Sequence, residues 1–221
     1  MEMKFRHNLA MSLPSQTDEQ LMQAYTAGDM AAFDVLYARH EGGLFRFVRR
    51  VLGTPLSAQA DEVFQDCWLR IISARASFAA ERGRWKTWAY TVAHNLAMDR
   101  LRVSGREFSL DGARGDERSD QHGDGSDGDL GWLRANLDIT HPSTEDLAHW
   151  RAAGQQLLRC LDALPAVQRA AFLLHHEEGV SVEDLASTLG LGFETAKSRL
   201  RYALQKLRGC MQAYLTVWEV A

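Results

Sequence analysis

The sequence predicts an all-α protein: two small helical domains joined by a flexible acidic linker, the second domain a helix-turn-helix. Apolar residues recur with helical spacing over most of its 221 residues, which include only four prolines. That period stops in a Gly-, Asp- and Ser-rich segment, which cannot bury enough apolar surface to offset its ordering entropy. Near the carboxyl end, two short apolar stripes flank Gly190-Leu191-Gly192, a turn with glycine where a left-handed residue follows a helix.

In chain order, residues 1–16 read as an extension, and 17–104 as the first domain. Thr17 or Asp18 caps a helix through Leu21, Met22 and Tyr25, ending at Gly28. Asp29 caps a second, from Ala32 to about Leu52, interrupted by Gly42-Gly43. The third runs from Ala58 to about Arg75 with a core stripe of Ala60, Phe64, Cys67, Trp68 and Ile71. Its opposite face sets Leu69 among Glu62, Gln65, Asp66 and Ser73, which fits either solvent or a basic partner surface. The fourth runs from about Trp85 to Val103, burying Trp88, Val92, Leu96 and Leu101. Arg84, Lys86, Tyr90, His94, Asn95, Arg100 and Arg102 are then accessible; rings interleaved with cations suit unpaired nucleic acid.

Residues 105–142 form the linker. About 36 flexible residues span roughly 30–36 Å on average and about 120 Å at full stretch. That is slack enough for two modules roughly two DNA turns, ~70 Å, apart. Residues 143–211 form the second domain. Asp146–Asp162 is helical, Pro165 starts the helix Ala166–Glu178, and Gly179 ends it. Ser181 then caps a helix striped by Val182, Leu185, Ala186 and Leu189, with Asp184 placed to reach back to the cap's amide. The last helix buries Ala196, Leu200, Ala203, Leu204 and Leu207. It turns Glu194, Lys197, Ser198, Arg201, Tyr202 and Gln205 outward, the donors, acceptors and cations that read base edges and grip phosphates. Arg199 lies near the core stripe and is expected to snorkel to a phosphate. Residues 212–221 are an apolar tail.

Net charge is −4, but the acidity is local. Residues 1–108 carry 14 Lys/Arg and 12 Asp/Glu, residues 109–150 carry 3 and 10, and residues 151–221 carry 8 and 7. Both helical modules are therefore mildly basic, as phosphate contact requires. No apolar run reaches the roughly 18–20 residues of a membrane span. Cys67, Cys160 and Cys210 are far apart with no Cys-x-x-Cys, so reduced thiols in a cytoplasm are expected. His175-His176-Glu177 lacks metal spacing, and no nucleophile–base pair or phosphate-cradling loop stands out, so no catalytic residue, metal or cofactor is expected.

Four stretches resemble the extracytoplasmic-function (ECF) sigma factors of bacterial RNA polymerase. Ala60–Arg70 (ADEVFQDCWLR) is similar to that family's polymerase-clamp-binding helix, which implies Glu62, Gln65, Asp66 and Leu69 as core-polymerase contacts. Arg84–Arg102 is similar to the segment that melts and reads the minus-ten element. With the loop before it, this implies Arg82, Arg84, Trp85, Lys86, Trp88, Tyr90, Asn95, Arg100 and Arg102 as DNA contacts. Leu161–Arg169 and Thr195–Leu200 are similar to the minus-thirty-five reader, implying Glu194, Thr195, Lys197, Ser198, Arg199 and Arg201. Thr91, His94, Tyr202 and Leu204 depart from it, standing where arginine is more common, and Gly192 replaces a serine cap. The resemblance implies a promoter-specificity subunit whose partners are core polymerase, promoter DNA and an anti-sigma factor, with no membrane insertion. The alternative from the residues themselves is a stand-alone helix-turn-helix repressor or activator with a helical sensing or dimerisation domain.

Overall fold

A computed structural model describes residues 13–105 and 144–218. The linker after Gly105, most of the expected amino-terminal extension and the last three residues of the expected tail lie outside the described residues. Among those described, regular structure is helical throughout.

The first module holds α1 (Asp18–Thr26), α2 (Met30–Leu52), α3 (Ala60–Ser73) and α4 (Trp85–Val103). Thr17 and Gln20 form a reciprocal capping box on α1, and Asp29 Oδ1 accepts from the Ala31 amide to start α2. The expected break at Gly42-Gly43 is absent: α2 runs unbroken to Leu52, and Gly53, at φ 71°, ends it. Glu19 of α1 accepts from the Trp85 amide, satisfying one free N–H at the start of α4. Leu21, Met22, Leu36, Phe47, Val51, Ile71 and Trp85 are essentially fully enclosed. At roughly 1.5–3 kcal/mol per large apolar side chain, such burial is the main term holding the module together.

Two stripes differ from expectation. On α3, Val63 is buried and Phe64 only half-buried, its ring edge-on to Phe45. On α4 the buried set is Trp85, Ala89, Tyr90, Ala93, His94, Ala97, Met98 and Leu101, while Trp88, Val92 and Leu96 are half-buried. The physical reason is that α4 is covered on two sides, so a single-stripe reading misplaces its core.

The second module holds α5 (Thr144–Asp162), α6 (Ala166–Phe172), α7 (Val182–Leu189) and α8 (Phe193–Trp218). Pro165 is the residue before α6 rather than its first. The segment Leu173–Glu177 continues α6 as a widened π turn, with the Glu178 amide donating to Leu173 O. Ser181 Oγ accepts from the Asp184 amide to begin α7. The reciprocal bond expected from Asp184 is replaced: Ser181 Oγ donates to the Asp184 carboxylate. Gly190, left-handed at φ 63°, closes α7, and the Leu191 amide returns to Ala186 O. All five expected core residues of α8 are buried.

One expectation is corrected here. Cys160 and Cys210 are joined by a disulfide, with Cα atoms 5.9 Å apart, because α8 lies along α5 and brings the sulfurs together across 50 residues of sequence. Only Cys67 is a free thiol, buried and pushed up to about 12 by its apolar surroundings. The modules also do not sit apart. α7 packs on α4 and α6 on α2, merging both cores into one cluster.

Candidate nucleic-acid interface

The outer face of α3 is as open as its sequence implies: Gln65 and Asp66 are exposed, and Leu69 is 63% exposed. Glu62, however, is already engaged. Arg100 of α4 donates to both of its carboxylate oxygens at 2.8 and 3.0 Å, and also to Gln59. That fork holds the Glu62 carboxyl below its ordinary range. One residue of the expected polymerase contact and one of the expected DNA contact are thus each other's partners. Beside them Val63, Leu96 and Val103 help line a groove of about 440 Å³ between α3 and α4.

Along α4 the expected strand contacts divide. Arg84 is exposed, 4.0 Å from Asp184 of α7. Asn95 is exposed, and Arg102 is exposed and paired with Asp99 at 2.8 Å. Trp88 is half-buried against Phe78. Only the backbone of Arg82 is described, in a short turn over Ala80–Arg82. Trp85 corrects the expectation of an accessible ring: it is fully buried, in tilted ring contact with His40 and near Trp68. Apolar burial of an indole outweighs display at a helix start that packs on α1.

Lys86, Tyr90 and His94 fall one turn apart on one side of α4. That side is covered by the second module. Lys86 Nζ donates to the Glu178 carbonyl and lies 3.6 Å from its carboxylate, and the Tyr90 hydroxyl donates to the same carboxylate. Burial and the neighbouring Glu178 push the Tyr90 hydroxyl far above its usual range, so it remains a donor. His94 is 9% exposed; burial, then the nearby Arg199, disfavours its charged form.

The α8 face is open where the sequence puts it. Glu194, Thr195, Lys197 and Arg201 are exposed, and Ser198 is half-buried. Arg199 differs: instead of reaching outward it is half-buried toward His94, and desolvation lowers its affinity for a proton. With Ser181 and Gly190 capping α7 at its two ends, α8 presents the open face of donors, acceptors and cations, a chemistry suited to the major groove of duplex DNA.

Sequence reasoning missed Arg169, Glu177, Glu178, Gly43 and Gly53. Arg169 is 5% exposed and donates to Val51 O of α2 at 2.7 Å, with longer approaches to Leu161 O and Asp162. A Cβ on Gly53 would sit 2.9 Å from Asp162 Oδ1 and 3.0 Å from Arg169, at a positive φ besides. A Cβ on Gly43 would sit 2.8 Å from the Tyr90 hydroxyl. Glycine in the middle of a strong helix was the one visible signal of such close approach.

Comparison with known proteins agrees with this geometry. Residues 36–107 match Sigma-70 region 2, and residues 154–207 match Sigma-70 region 4. The ECF RNA polymerase sigma factor SigK of Mycobacterium ulcerans is 26% identical over 202 residues, covering 90% of this chain and 97% of that protein. SigK of Mycobacterium tuberculosis is 26% identical over 193 residues, covering 87% and 92%. Among solved structures, CnrH in complex with the cytosolic domain of CnrY superposes with a TM-score of 0.59 at 20% identity, covering 90% of this chain and 99% of that one. The sigma factor RpoE in complex with the anti-sigma factor NepR from Bartonella quintana gives 0.55 at 22%, covering 81% and 96%. With both sigma regions in order, on a fold shared with solved sigma factors, the chain belongs to the ECF sigma factors, promoter-specificity subunits of RNA polymerase.

Proposed function

We propose the following division of roles. Residues 17–104 dock on core polymerase through Gln65, Asp66 and Leu69 of α3, with Glu62 released from Arg100 or shared with it. Arg82, Arg84, Lys86, Trp88, Tyr90, Asn95, Arg100 and Arg102 then hold the melted minus-ten strand, where cations meet phosphates and rings meet bases. Residues 143–211 read the minus-thirty-five duplex through Glu194, Thr195, Lys197, Ser198 and Arg201. The chain catalyses nothing itself; it acts in the cytoplasm beside polymerase, on a signal-responsive set of promoters. The observation that carries this reading is the open α8 face on a helix-turn-helix whose two caps are both in place. An anti-sigma partner follows by analogy with CnrH and RpoE, which are bound to CnrY and NepR in the structures above.

Reconstitution with core polymerase, then transcription from a genomic library, tests the reading. Selective initiation is expected only with the chain present. Tight duplex binding without core, and no association with core at low salt, would instead identify a free-standing regulator. Deleting residues 111–129 tests whether the acidic linker occupies polymerase's basic nucleic-acid channels; abortive product lengths are expected to change.

A further inference from the structure

The side of α4 covered by the second module is the side that carries Lys86 and Tyr90, and one residue holds both. We propose that Glu178 is an intramolecular latch that keeps this strand-reading face covered in the free chain, so that the two modules must part before promoter DNA is engaged. The inference rests on the reading of α4 given above.

Glu178 is placed for this by the widened turn at Leu173–Glu177, which carries it and Glu177 against the first module. Its carboxylate, 9% exposed, accepts from the Tyr90 hydroxyl and sits 3.6 Å from the Lys86 ammonium, while its carbonyl accepts from the same lysine. Gly43 of α2 leaves the room this needs: a Cβ there would come within 2.8 Å of the tyrosine oxygen and 3.3 Å of the Glu178 carboxylate. Beside it Arg50 of α2 pairs with Glu177, and farther along Arg84 approaches Asp184 at 4.0 Å.

The seam has the chemistry of a contact that opens. Alongside the apolar contact of α7 with α4 and α6 with α2, ion pairs and a hydroxyl–carboxylate bond cross it, the mixed chemistry of interfaces between domains that move. His94, one turn beyond Tyr90, is enclosed there with no well-formed hydrogen bond on either ring nitrogen among the described residues, only an approach to Asn95, and Arg199 is its charged neighbour. A buried polar group left unsatisfied costs free energy that parting the modules would return. Lys86 and Tyr90 exchange Glu178 for phosphate and base when the seam opens, so the same two side chains serve both states.

Amide hydrogen exchange on the full chain, without polymerase or DNA, tests the latch. Glu178→Ala and Arg50→Glu are expected to speed exchange at least tenfold in residues 86–95 and 182–189 together, leaving residues 18–26 unchanged. The charge swap Arg50→Glu with Glu177→Arg is expected to restore protection. Wild-type protection of both segments in Glu178→Ala would overturn the proposal. So would exchange that rises across the whole first module, or a charge swap that restores nothing, since either marks a residue that merely stabilises the fold. Association with core polymerase, measured separately, reports on the sigma reading and is independent of this result.

Discussion

Replacing Arg169 by alanine gives the sharpest test of how the two modules are held. The guanidinium is nearly enclosed and its best bond, 2.7 Å to Val51 O, crosses from α6 to the last turn of α2. Its approaches to Leu161 O and Asp162, at 3.3–3.5 Å, are weaker ties within its own module. Removing one partner of a buried charged network costs about 3–5 kcal/mol. Here the lower end applies, because Asp162 is 28% exposed and keeps its bonds to Thr54. A loss of about 3 kcal/mol is therefore expected, or a fall in Tm of roughly 6–12 °C for a chain of this size. Arg169→Lys should recover part of it, since a lysine retains the charge but not the fork that reaches Val51 and Asp162 together. Urea unfolding followed by far-UV circular dichroism measures both variants. A loss below about 1 kcal/mol in Arg169→Ala, outside the range expected for breaking such a network, would refute the reasoning.

Three further outcomes follow from other parts of the structure. Reducing the Cys160–Cys210 disulfide, or replacing both cysteines by serine, should cost about 2–4 kcal/mol through the loop it closes, read as a drop in urea midpoint, while Cys67 stays unreactive to thiol reagents in the folded chain. His176 is pulled down from 6.5 to about 4 by burial, then by His175. The unfolded chain therefore binds the proton first: stability should hold above pH 6.5, fall as pH drops toward 4 and level off below, and Tm of His176→Gln should show a flatter decline across that window. Lys197→Ala should weaken holoenzyme binding to minus-thirty-five duplex, lowering the slope of log affinity against log salt by about 1 if the lysine meets a phosphate; an unchanged slope would remove it from the backbone contact.

The helix-turn-helix was legible because local rules decide it. Ser181, Gly190 and the five apolar positions of α8 each act within a few residues, and each took the expected place. The face of α3 was legible for the same reason, since among the described residues Leu69 stays open. What failed was whatever depended on a distant segment. Tyr90 and His94 look accessible from the helical period of α4, but α7 and α8 arrive from the far side of the linker. Cys160 and Cys210 look like two isolated small hydrophobes until α5 lies beside α8. Glu178 reads as a solvated residue after a helix; only the π turn aims it at Tyr90.

The same distant packing accounts for two of the departures from the family's basic pattern. An arginine at position 94 would set a second guanidinium against Arg199, enclosed within the seam. Two like charges there would each lose solvation and repel, whereas a neutral imidazole loses only hydrogen bonds. Leu204 is 7% exposed in the core of α8, where a cation would lose most of its solvation. On the proposed role of α4, a neutral residue at position 94 lets the modules close on one another at lower cost, and two cations of that face, Arg84 and Lys86, are met across the seam by Asp184 and Glu178.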